Sequence, residues 1–502
     1  MDQLPRSYGE LNERLTVTSQ EKHSDLYRLT AVQAVDLLKR GEVSSLELVE
    51  AAAARIEATD AALNAMPTLC LDRAREHAKR IMAKGHNGDR PPGWLAGLPV
   101  AIKDLNDVAG VRTTYGSPIY ADHVPERSDV MVEMLEDKGA VVIGKSNTPE
   151  FGAGASTFNE VFGRTHNPWN VEKQVAGSSG GAAAALAAGQ VWLASGSDLG
   201  GSLRTPASFN SVIGLRPSPG RVAHGPKPRP FSTLSVEGPM ARTAEDCALF
   251  LDAMAGMHRE DPLSLPAPTE PFLETVRARR KPTRVAFSPN LGLLPVDRRV
   301  AEICRQAVEA FAGMGITVEE VCPDLSEVPA TFQTLRAASF AANMGPLLRE
   351  HRDKLKPEVI WNIEKGMALN ADAIGQAEVM RGTLFHRIMA FFETYDLLLC
   401  PTAIVPPFDV DMRYVEEVEG VKFDTYIDWL GITFTVSLTS CAAVSAPAGF
   451  TDDGLPVGLQ IIGPPHGEAA VLTAAALLED ATGIAGRLPI DPMTANGEKL
   501  VA

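Results

Sequence analysis

The chain of 502 residues is 45% hydrophobic and 22% charged, which is typical of a globular protein with a large core. Its formal net charge of −16 disfavours nucleic acid and anionic membranes as main partners, because both attract basic surfaces. The six cysteines lie far apart without C-x-x-C spacing, which predicts reduced thiols and no metal site. The sequence has no apolar signal-peptide core and no apolar run of bilayer length, so we expect a cytoplasmic protein.

The first part of the chain predicts helices. Residues 1–25 are polar and predict a loose N-terminal arm. Thr30 is a favourable N-cap and Gly41 a favourable helix end, so a helix is predicted between them. Two more helices are predicted, one from Ser44 or Ser45 to about Thr59 and one over roughly 71–84.

Short apolar runs and helical stretches alternate through most of the remaining chain. The predicted strands cover 98–102, 140–143, 191–194, 284–287, 318–321, 396–402, 444–449 and 457–463. The predicted helices cover 128–138, 182–189, 243–256 and 297–313. Residues 325–390 instead predict a helical insertion, after which the strand pattern returns. This alternation predicts an α/β fold in which one large domain holds a parallel or mixed sheet.

A first short motif suggests nucleotide binding. Residues 139–146 match the P-loop pattern G-x-x-x-x-G-K-S. A P-loop needs a strand before its first glycine and a helix directly after the Lys-Ser pair. Here the apolar strand would lie between the two glycines, and Pro149 discourages an immediate helix. We therefore favour a buried strand that ends in a turn.

A second motif suggests an esterase. Residues 177–181, Gly-Ser-Ser-Gly-Gly, match the nucleophile elbow G-x-S-x-G, in which Ser179 would be the nucleophile of an α/β-hydrolase-type enzyme. Three candidate histidines follow, His224, His386 and His466, none in a compelling local context. Residues 171–174 also make a poor hydrophobic strand before the glycine. This interpretation stays open as a lesser alternative.

Two serines in glycine-rich loops carry the strongest chemical signal. Ser178 lies in Ala-Gly-Ser-Ser-Gly-Gly, and Ser202 ends the run Asp-Leu-Gly-Gly-Ser. Glycine lets backbone N–H groups approach a ligand, and a serine beside them can attack a carbonyl while they hold the oxyanion. Lys103 follows an apolar run, where burial would lower the pKa of its amine. The pattern predicts an enzyme that cleaves amides or esters.

Together with further motifs, these elements resemble the amidase signature family. The further motifs are GKSNTPEFG at 144–152, HNPWN at 166–170, RTPAS at 204–208, GLRPS at 214–218 and GLPVGLQIIG at 454–463. The resemblance covers roughly residues 30–485. It implies one amidase signature domain over 26–490, with a central mixed, twisted sheet covered by helices on both faces. The insertion at about 325–390 would shape the substrate pocket, and 491–502 would form a C-terminal tail.

The resemblance also implies a catalytic set. Ser202 would be the nucleophile, Ser178 a bridging serine on a cis peptide, and Lys103 the base. The implied oxyanion hole consists of the backbone N–H groups of Leu199, Gly200, Gly201 and Ser202. Ser179 and Asp198 would brace the two serine loops.

Two positions depart from the family pattern. Ala176 stands where glycine is usual, and Leu199 stands where threonine is usual. The second change removes a hydroxyl beside the implied oxyanion hole and makes the pocket more apolar there. Aromatic residues of the predicted insertion also suggest an apolar or aryl substrate. These are Phe332, Phe340, Trp361 and Phe385.

The main prediction is a serine amidase that hydrolyses a small neutral amide, or a related ester or carbamate, through an acyl-enzyme. No metal or organic cofactor is implied. The alternative from the same family is the amidase subunit of a glutamine-dependent tRNA amidotransferase, which works only in a complex. Members of this family often form dimers, which leaves a homodimer open for this chain.

Overall fold

Eleven strands form one central sheet in the computed structural model, which describes residues 25–84 and 90–501. In chain order they are β1 Thr68–Leu69, β2 Pro99–Lys103, β3 Val141–Ser146, β4 Leu193–Asp198, β5 Ile213–Arg216, β6 Val236–Ala241, β7 Arg284–Phe287, β8 Thr317–Glu320, β9 Leu397–Pro401, β10 Ala442–Phe450 and β11 Pro456–Gly463. Across the sheet the order is β1-β3-β2-β4-β6-β5-β10-β11-β9-β7-β8. Strand β2 runs parallel to β3 and β4, and β7 runs parallel to β8 and β9. The other neighbours are antiparallel, so the predicted mixed sheet is confirmed.

Fourteen α-helices occur within the described ranges. They are α1 Ala31–Arg40, α2 Ser45–Leu63, α3 Leu71–Ala83, α4 Val130–Asp137, α5 Gly180–Ala187, α6 Arg204–Asn210, α7 Ala244–Met254, α8 Phe272–Arg277, α9 Arg298–Gly313, α10 Val328–His351, α11 Pro357–Met367, α12 Ala371–Phe392, α13 Gly431–Thr439 and α14 Glu468–Thr482. The first helix begins and ends as predicted. The Thr30 side chain accepts the Gln33 N–H, and Gly41 adopts the left-handed conformation at the C-terminal end. None of the described helices is both long and apolar enough to cross a membrane.

Both faces of the sheet are covered, as alternate residues of its strands show. In β9, Leu397 and Leu399 belong to a larger hydrophobic core, whereas Leu398 and Cys400 belong to a second core. Successive side chains of a strand point to opposite faces, so the two cores lie on opposite sides of the sheet. The second core contains residues of α10, α12 and α13.

Several predicted strands differ from the observed ones at their ends, and the largest shift is in β4. The sequence predicts 191–194, but β4 begins at Leu193 and continues through Gly196 and Ser197 to Asp198. Glycine and serine have low strand propensity. Gly196 and Ser197 are nevertheless extended, because β4 pairs with β6 along its whole length and with β2 on its other side. The extension matters because it carries Ser197 toward the glycine-rich loop.

The segment 171–174, whose sequence makes a poor strand, does form one outside the central sheet. Asn170–Gln174 pairs with His166–Asn167 in a separate two-stranded sheet. Two further short pairs are Phe158–Asn159 with Gly163–Arg164 and Glu417–Val418 with Val421–Lys422. The predicted N-terminal arm lies outside the described residues, apart from Asp25.

Candidate active site

Lys103 is the last residue of β2 and is fully buried. Its Nζ lies 2.7 Å from Ser178 Oγ, 2.9 Å from Ser179 Oγ and 3.0 Å from Ser197 Oγ. Its backbone N–H donates to Ser195 Oγ at 3.2 Å, which fixes the end of the strand against β4. The structure thus brings Lys103 together with both residues of the Ser-Ser pair. It adds Ser197, which the sequence analysis missed although it stands in the Gly-Ser-Asp run just before Leu199.

Burial lowers the pKa of Lys103 to about 7, although the charges of Glu237 and Asp198 favour its protonated form. A large share of the lysine is therefore neutral at neutral pH. A neutral amine has two N–H donors and one lone pair, so one of its three hydroxyl neighbours can donate to it. Ser178 is the nearest of the three.

The loop that carries Ser178 is held by its surroundings. The peptide bond between Gly177 and Ser178 is cis, and Thr157 Oγ1 donates to the Ala176 carbonyl at 2.7 Å. Helix α5 begins directly after Ser179, and a Cβ at Gly181 would collide with the backbone of Asn147. The glycines at the start of α5 therefore permit close helix packing behind the serine loop.

Ser179 is enclosed by protein rather than exposed to a ligand. Its side chain is fully buried and donates to the Ser197 carbonyl at 3.4 Å, in addition to its contact with Lys103. Its backbone N–H donates to the Ser202 carbonyl at 3.2 Å. None of its contacts within the described residues involves a histidine, which disfavours Ser179 as an elbow nucleophile. Its contacts join the two serine loops.

Ser202 is half-buried and, with Ser178, lines a cavity of about 250 Å³. Its hydroxyl makes no hydrogen bond to a protein group in the described part of the chain. A substrate in the cavity could therefore contact both the free hydroxyl of Ser202 and the hydroxyl of Ser178, which contacts the buried amine.

Three backbone N–H groups of the second loop are free of protein acceptors within the described ranges: those of Leu199, Gly200 and Ser202. The fourth predicted oxyanion-hole donor, Gly201, differs. Its N–H donates to Asp198 Oδ1 at 2.9 Å, so it already has a charged acceptor. Gly201 has φ of +122°, and a Cβ there would collide with Thr433 Oγ1. The structure thus leaves three of the four donors open and makes Gly201 a turn-forming residue.

The carboxylate of Asp198 stabilises this loop through hydrogen bonds and ion pairs. Its fully buried carboxylate accepts from the Leu203 N–H at 3.1 Å and from Arg204 at 2.9 and 3.0 Å. Arg216 pairs with the same carboxylate at 3.3 Å. Burial alone would raise the pKa of Asp198, but the two guanidinium groups hold it well below its ordinary value. Asp198 is therefore charged throughout the neutral range.

The segment that matches the P-loop pattern forms no phosphate loop. Residues 141–146 are extended in β3. The Nζ of Lys145 donates to the Asn106 carbonyl and to Thr113 Oγ1, both at 2.7 Å, and pairs with Asp104 at 3.3 Å. The lysine that would bind phosphate is thus bonded inside the protein, as the buried-strand interpretation predicts.

Helix α10 supplies much of the opposite wall of the cavity. It contributes Arg336, Ser339, Phe340, Asn343 and Met344. Of the four aromatic residues noted in the sequence, only Phe340 lines the cavity. The ring of Phe332 instead stacks on Phe434 with centroids 4.2 Å apart, and Trp361 packs against Tyr426. No local pattern indicates that Arg336 would face the serines, because its position depends on tertiary packing.

The described residues contain no group of three or more His, Cys, Asp and Glu side chains able to hold a metal ion. The side chains that line the cavity are hydroxyls, cations, apolar groups, the amide of Asn343 and the imidazole of His224, one of the three candidate histidines. The arrangement is suited to acyl transfer through serine, with a neutral amine to receive a proton.

Known proteins resemble this chain in sequence over most of its length. The family model described as Amidase matches residues 47–472. The chain is 33% identical over 472 residues to an acylamidase of Rhodococcus erythropolis, which covers 93% of this chain and 98% of the relative. It is 32% identical over 483 residues to a glutamyl-tRNA(Gln) amidotransferase subunit of Geotalea daltonii, which covers 91% of this chain and 98% of the relative.

A solved structure extends the likeness to the fold. The crystal structure of a bacterial aryl acylamidase of the amidase signature family superposes with a TM-score of 0.85 at 29% identity, and covers 91% of this chain and 97% of that chain. The superposed part of the chain contains most of the predicted mixed sheet and its helical layers. The chain therefore belongs to the amidase family, and its acylamidase and aryl acylamidase relatives indicate a hydrolase that acts on carbon–nitrogen bonds other than peptide bonds.

Proposed function

We propose that this protein is a serine amidase that hydrolyses a small amide through an acyl-enzyme on Ser202. The observation that carries the proposal is the contact of 2.7 Å between the buried Lys103 Nζ and Ser178 Oγ, beside a cavity that Ser178 shares with Ser202. A serine hydroxyl becomes a good nucleophile only when a base removes its proton. Lys103 is a suitable base because burial brings its pKa to about 7.

In the first step, Ser202 Oγ attacks the carbonyl carbon of the amide. The Ser202 proton passes to Ser178 Oγ, while Ser178 passes its own proton to the lone pair of Lys103 Nζ. The negative charge that develops on the carbonyl oxygen is received by the open N–H groups of Leu199, Gly200 and Ser202.

In the second step, the proton returns from Lys103 through Ser178 to the leaving nitrogen, and the carbon–nitrogen bond breaks. An amine or ammonia departs and the acyl group stays on Ser202. Water then attacks this ester, with Lys103 again receiving the proton through Ser178. The products are a carboxylic acid and the free enzyme, and no other reactant is needed.

An amide with an aryl or otherwise apolar body is the proposed substrate class. The cavity of about 250 Å³ lies at the small end of ligand pockets. Apolar side chains in its lining include Leu105, Phe151, Leu199 and Phe340. The likeness to an acylamidase and to an aryl acylamidase supports this choice. We also propose a cytoplasmic enzyme, in keeping with six free cysteines.

The amidotransferase subunit is the second candidate function, supported by the relative from Geotalea daltonii. The two candidates differ in what the purified chain does alone. A free-standing amidase hydrolyses an aryl amide such as 4-nitroacetanilide without a partner. An amidotransferase subunit releases ammonia from glutamine, and does so only when its partner subunits are present.

Fluorophosphonate labelling tests the nucleophile. A reactive fluorophosphonate is expected to label Ser202, because its free hydroxyl lines the cavity and its own loop carries the open backbone N–H donors. The labelled protein is digested and the modified peptide is identified by mass spectrometry. Label on Ser179 would contradict the proposal and revive the esterase alternative, and a chain that takes no label would contradict a serine nucleophile in the isolated protein.

The pH dependence of kcat/KM tests the base. Only the neutral amine of Lys103 can accept a proton, and its neutral fraction grows as the pH rises. We expect kcat/KM to rise with pH and to level off above the Lys103 pKa of about 7. Hydrolysis of 4-nitroacetanilide is measured from about pH 5 to about pH 10, with circular dichroism at each pH as the control for folding. A profile that is flat, or that rises only near the ordinary lysine pKa of ~10.4, would contradict this role.

A further inference from the structure

Arg336 is a buried cation without a carboxylate partner among the described residues. It lies in α10, is 3% exposed and lines the cavity that contains Ser178 and Ser202. Its Nη1 donates to Asn362 Oδ1 and its Nη2 donates to the Tyr426 hydroxyl. Both acceptors are neutral, and Arg336 makes no ion pair with any described residue. Burying an unpaired charge is costly, so such a group points to a missing anion.

Neighbouring residues hold and surround this guanidinium without neutralising it. Its Cζ lies 4.6 Å from the centre of the Phe340 ring and 5.4 Å from that of Tyr426, so two aromatic rings contact the cation. Burial lowers the pKa values of Lys356 and Lys365, and the charge of Arg336 lowers them further, although Glu358 and Glu150 act in the opposite direction at Lys356 and Asp428 does so at Lys365. Arg336 therefore has other cations nearby, and its guanidinium keeps donors that its two hydrogen bonds do not use.

The lining of the cavity is cationic as well. Its described members include Lys227, Arg229 and Arg336, and none of them is an aspartate or glutamate. Lys227 is balanced by Glu237 at 3.2 Å. Arg229 donates to Ser339 Oγ at 2.9 Å and makes no ion pair with a residue that the structure describes. Two guanidinium groups thus face the same small space without an anion from the described part of the chain, although the overall charge is −16.

We propose that the substrate carries a carboxylate apart from the scissile amide, and that Arg336 binds this carboxylate and determines specificity. The inference rests on the proposed function, since it names the class of amide that the site receives. A planar guanidinium matches a carboxylate in geometry and charge. The bound anion would supply the charge partner that Arg336 lacks, while the apolar residues of the lining would hold the body of the substrate.

Two matched substrate pairs test the proposal. In the first pair the charge is on the acyl side, N-phenylsuccinamate against N-phenylpentanamide. In the second it is on the amine side, 4-acetamidobenzoate against N-(4-methylphenyl)acetamide. We expect kcat/KM to favour the acid in at least one pair by about 10- to 100-fold. A wild-type enzyme that favours the neutral amide in both pairs would overturn the proposal without any variant.

Variants then assign the effect to Arg336. Arg336→Met is expected to remove this preference, chiefly by raising KM for the acid. Arg349→Met is the matched control, because Arg349 is an exposed arginine on the same helix. Arg336→Gln keeps a polar group for Asn362 and Tyr426 and replaces Arg336→Met if that variant does not fold. A preference that survives loss of Arg336 would overturn the assignment.

Binding separates failure of this inference from failure of the proposed function. Ser202→Ala protein is titrated with each acid and its neutral partner by calorimetry. Tighter binding of the acid to Ser202→Ala, with this preference lost in Ser202→Ala/Arg336→Gln, supports the inference. This holds even if the wild type hydrolyses none of the amides, a result that would contradict the proposed function alone. Hydrolysis of both members of each pair with equal binding would leave the proposed function standing and overturn the inference.

Discussion

Ser202→Ala is expected to lower kcat/KM for amide hydrolysis by ~10⁴-fold or more, while the fold is retained. Alanine removes the hydroxyl that attacks the carbonyl, and neither Ser178 nor Lys103 can replace it from its position in the buried network. The Ser202 hydroxyl makes no hydrogen bond to described protein groups, so its removal leaves no buried partner unsatisfied. Hydrolysis of 4-nitroacetanilide and the thermal unfolding midpoint measure the two effects.

The matched control is Ser326→Ala, which makes the same change at an exposed serine outside the cavity lining. Both variants should unfold at the wild-type temperature, and only Ser202→Ala should lose most of its activity. Residual turnover is expected from the oxyanion-hole donors and from substrate binding alone. Turnover near the wild-type level in Ser202→Ala would remove this residue from the mechanism.

Asp198→Asn is expected to destabilise the protein by about 3–5 kcal/mol. The fully buried carboxylate pairs with Arg204 and Arg216, so its loss leaves two buried guanidinium groups without an anion. Because the pKa of Asp198 is held below its ordinary value, the stabilisation is present throughout the neutral range and is lost as the pH falls through that low pKa. Urea unfolding at neutral pH measures the change.

Activity should fall in the same variant, because Asp198 accepts the N–H groups of Gly201 and Leu203 and so fixes the loop of open donors. Asp72→Asn is the matched control. Asp72 is fully exposed and pairs with Arg75 at 3.2 Å, so its loss should change the free energy of unfolding by less than ~1 kcal/mol. Equal stability of the two variants would show that the buried ion pairs do not hold the loop.

Local chemistry explains what the sequence could predict. The first helix is bounded by Thr30 and Gly41 because a side-chain cap and a left-handed glycine act within a few residues. Burial of Lys103 could be predicted from the apolar run before it, because that run forms the buried strand β2. The absence of a phosphate-binding loop at 139–146 could also be predicted locally, because the residues between the two glycines favour a strand.

Long-range packing explains what the sequence could not predict. The third hydroxyl at Lys103 comes from Ser197, which is in place only because β4 extends beside β2. The hydrogen bond from the Gly201 N–H to Asp198 is the exception, because it is local and joins residues only three positions apart. Arg336 faces serines that precede it by more than a hundred residues, and this depends on how α10 packs over the sheet.

Burial of Lys103 lowers the stability of the folded protein but suits the lysine to its proposed role as the base. Its pKa is about 7 in the folded protein and ~10.4 in an unfolded chain, so the unfolded chain binds more protons between these values. Its contribution to stability therefore improves as the pH rises through this range and is unfavourable at neutral pH. A lineage that kept the fold and abandoned the reaction would gain stability by replacing this lysine with an apolar residue. Selection for activity would therefore retain this lysine, whereas selection for stability alone would not.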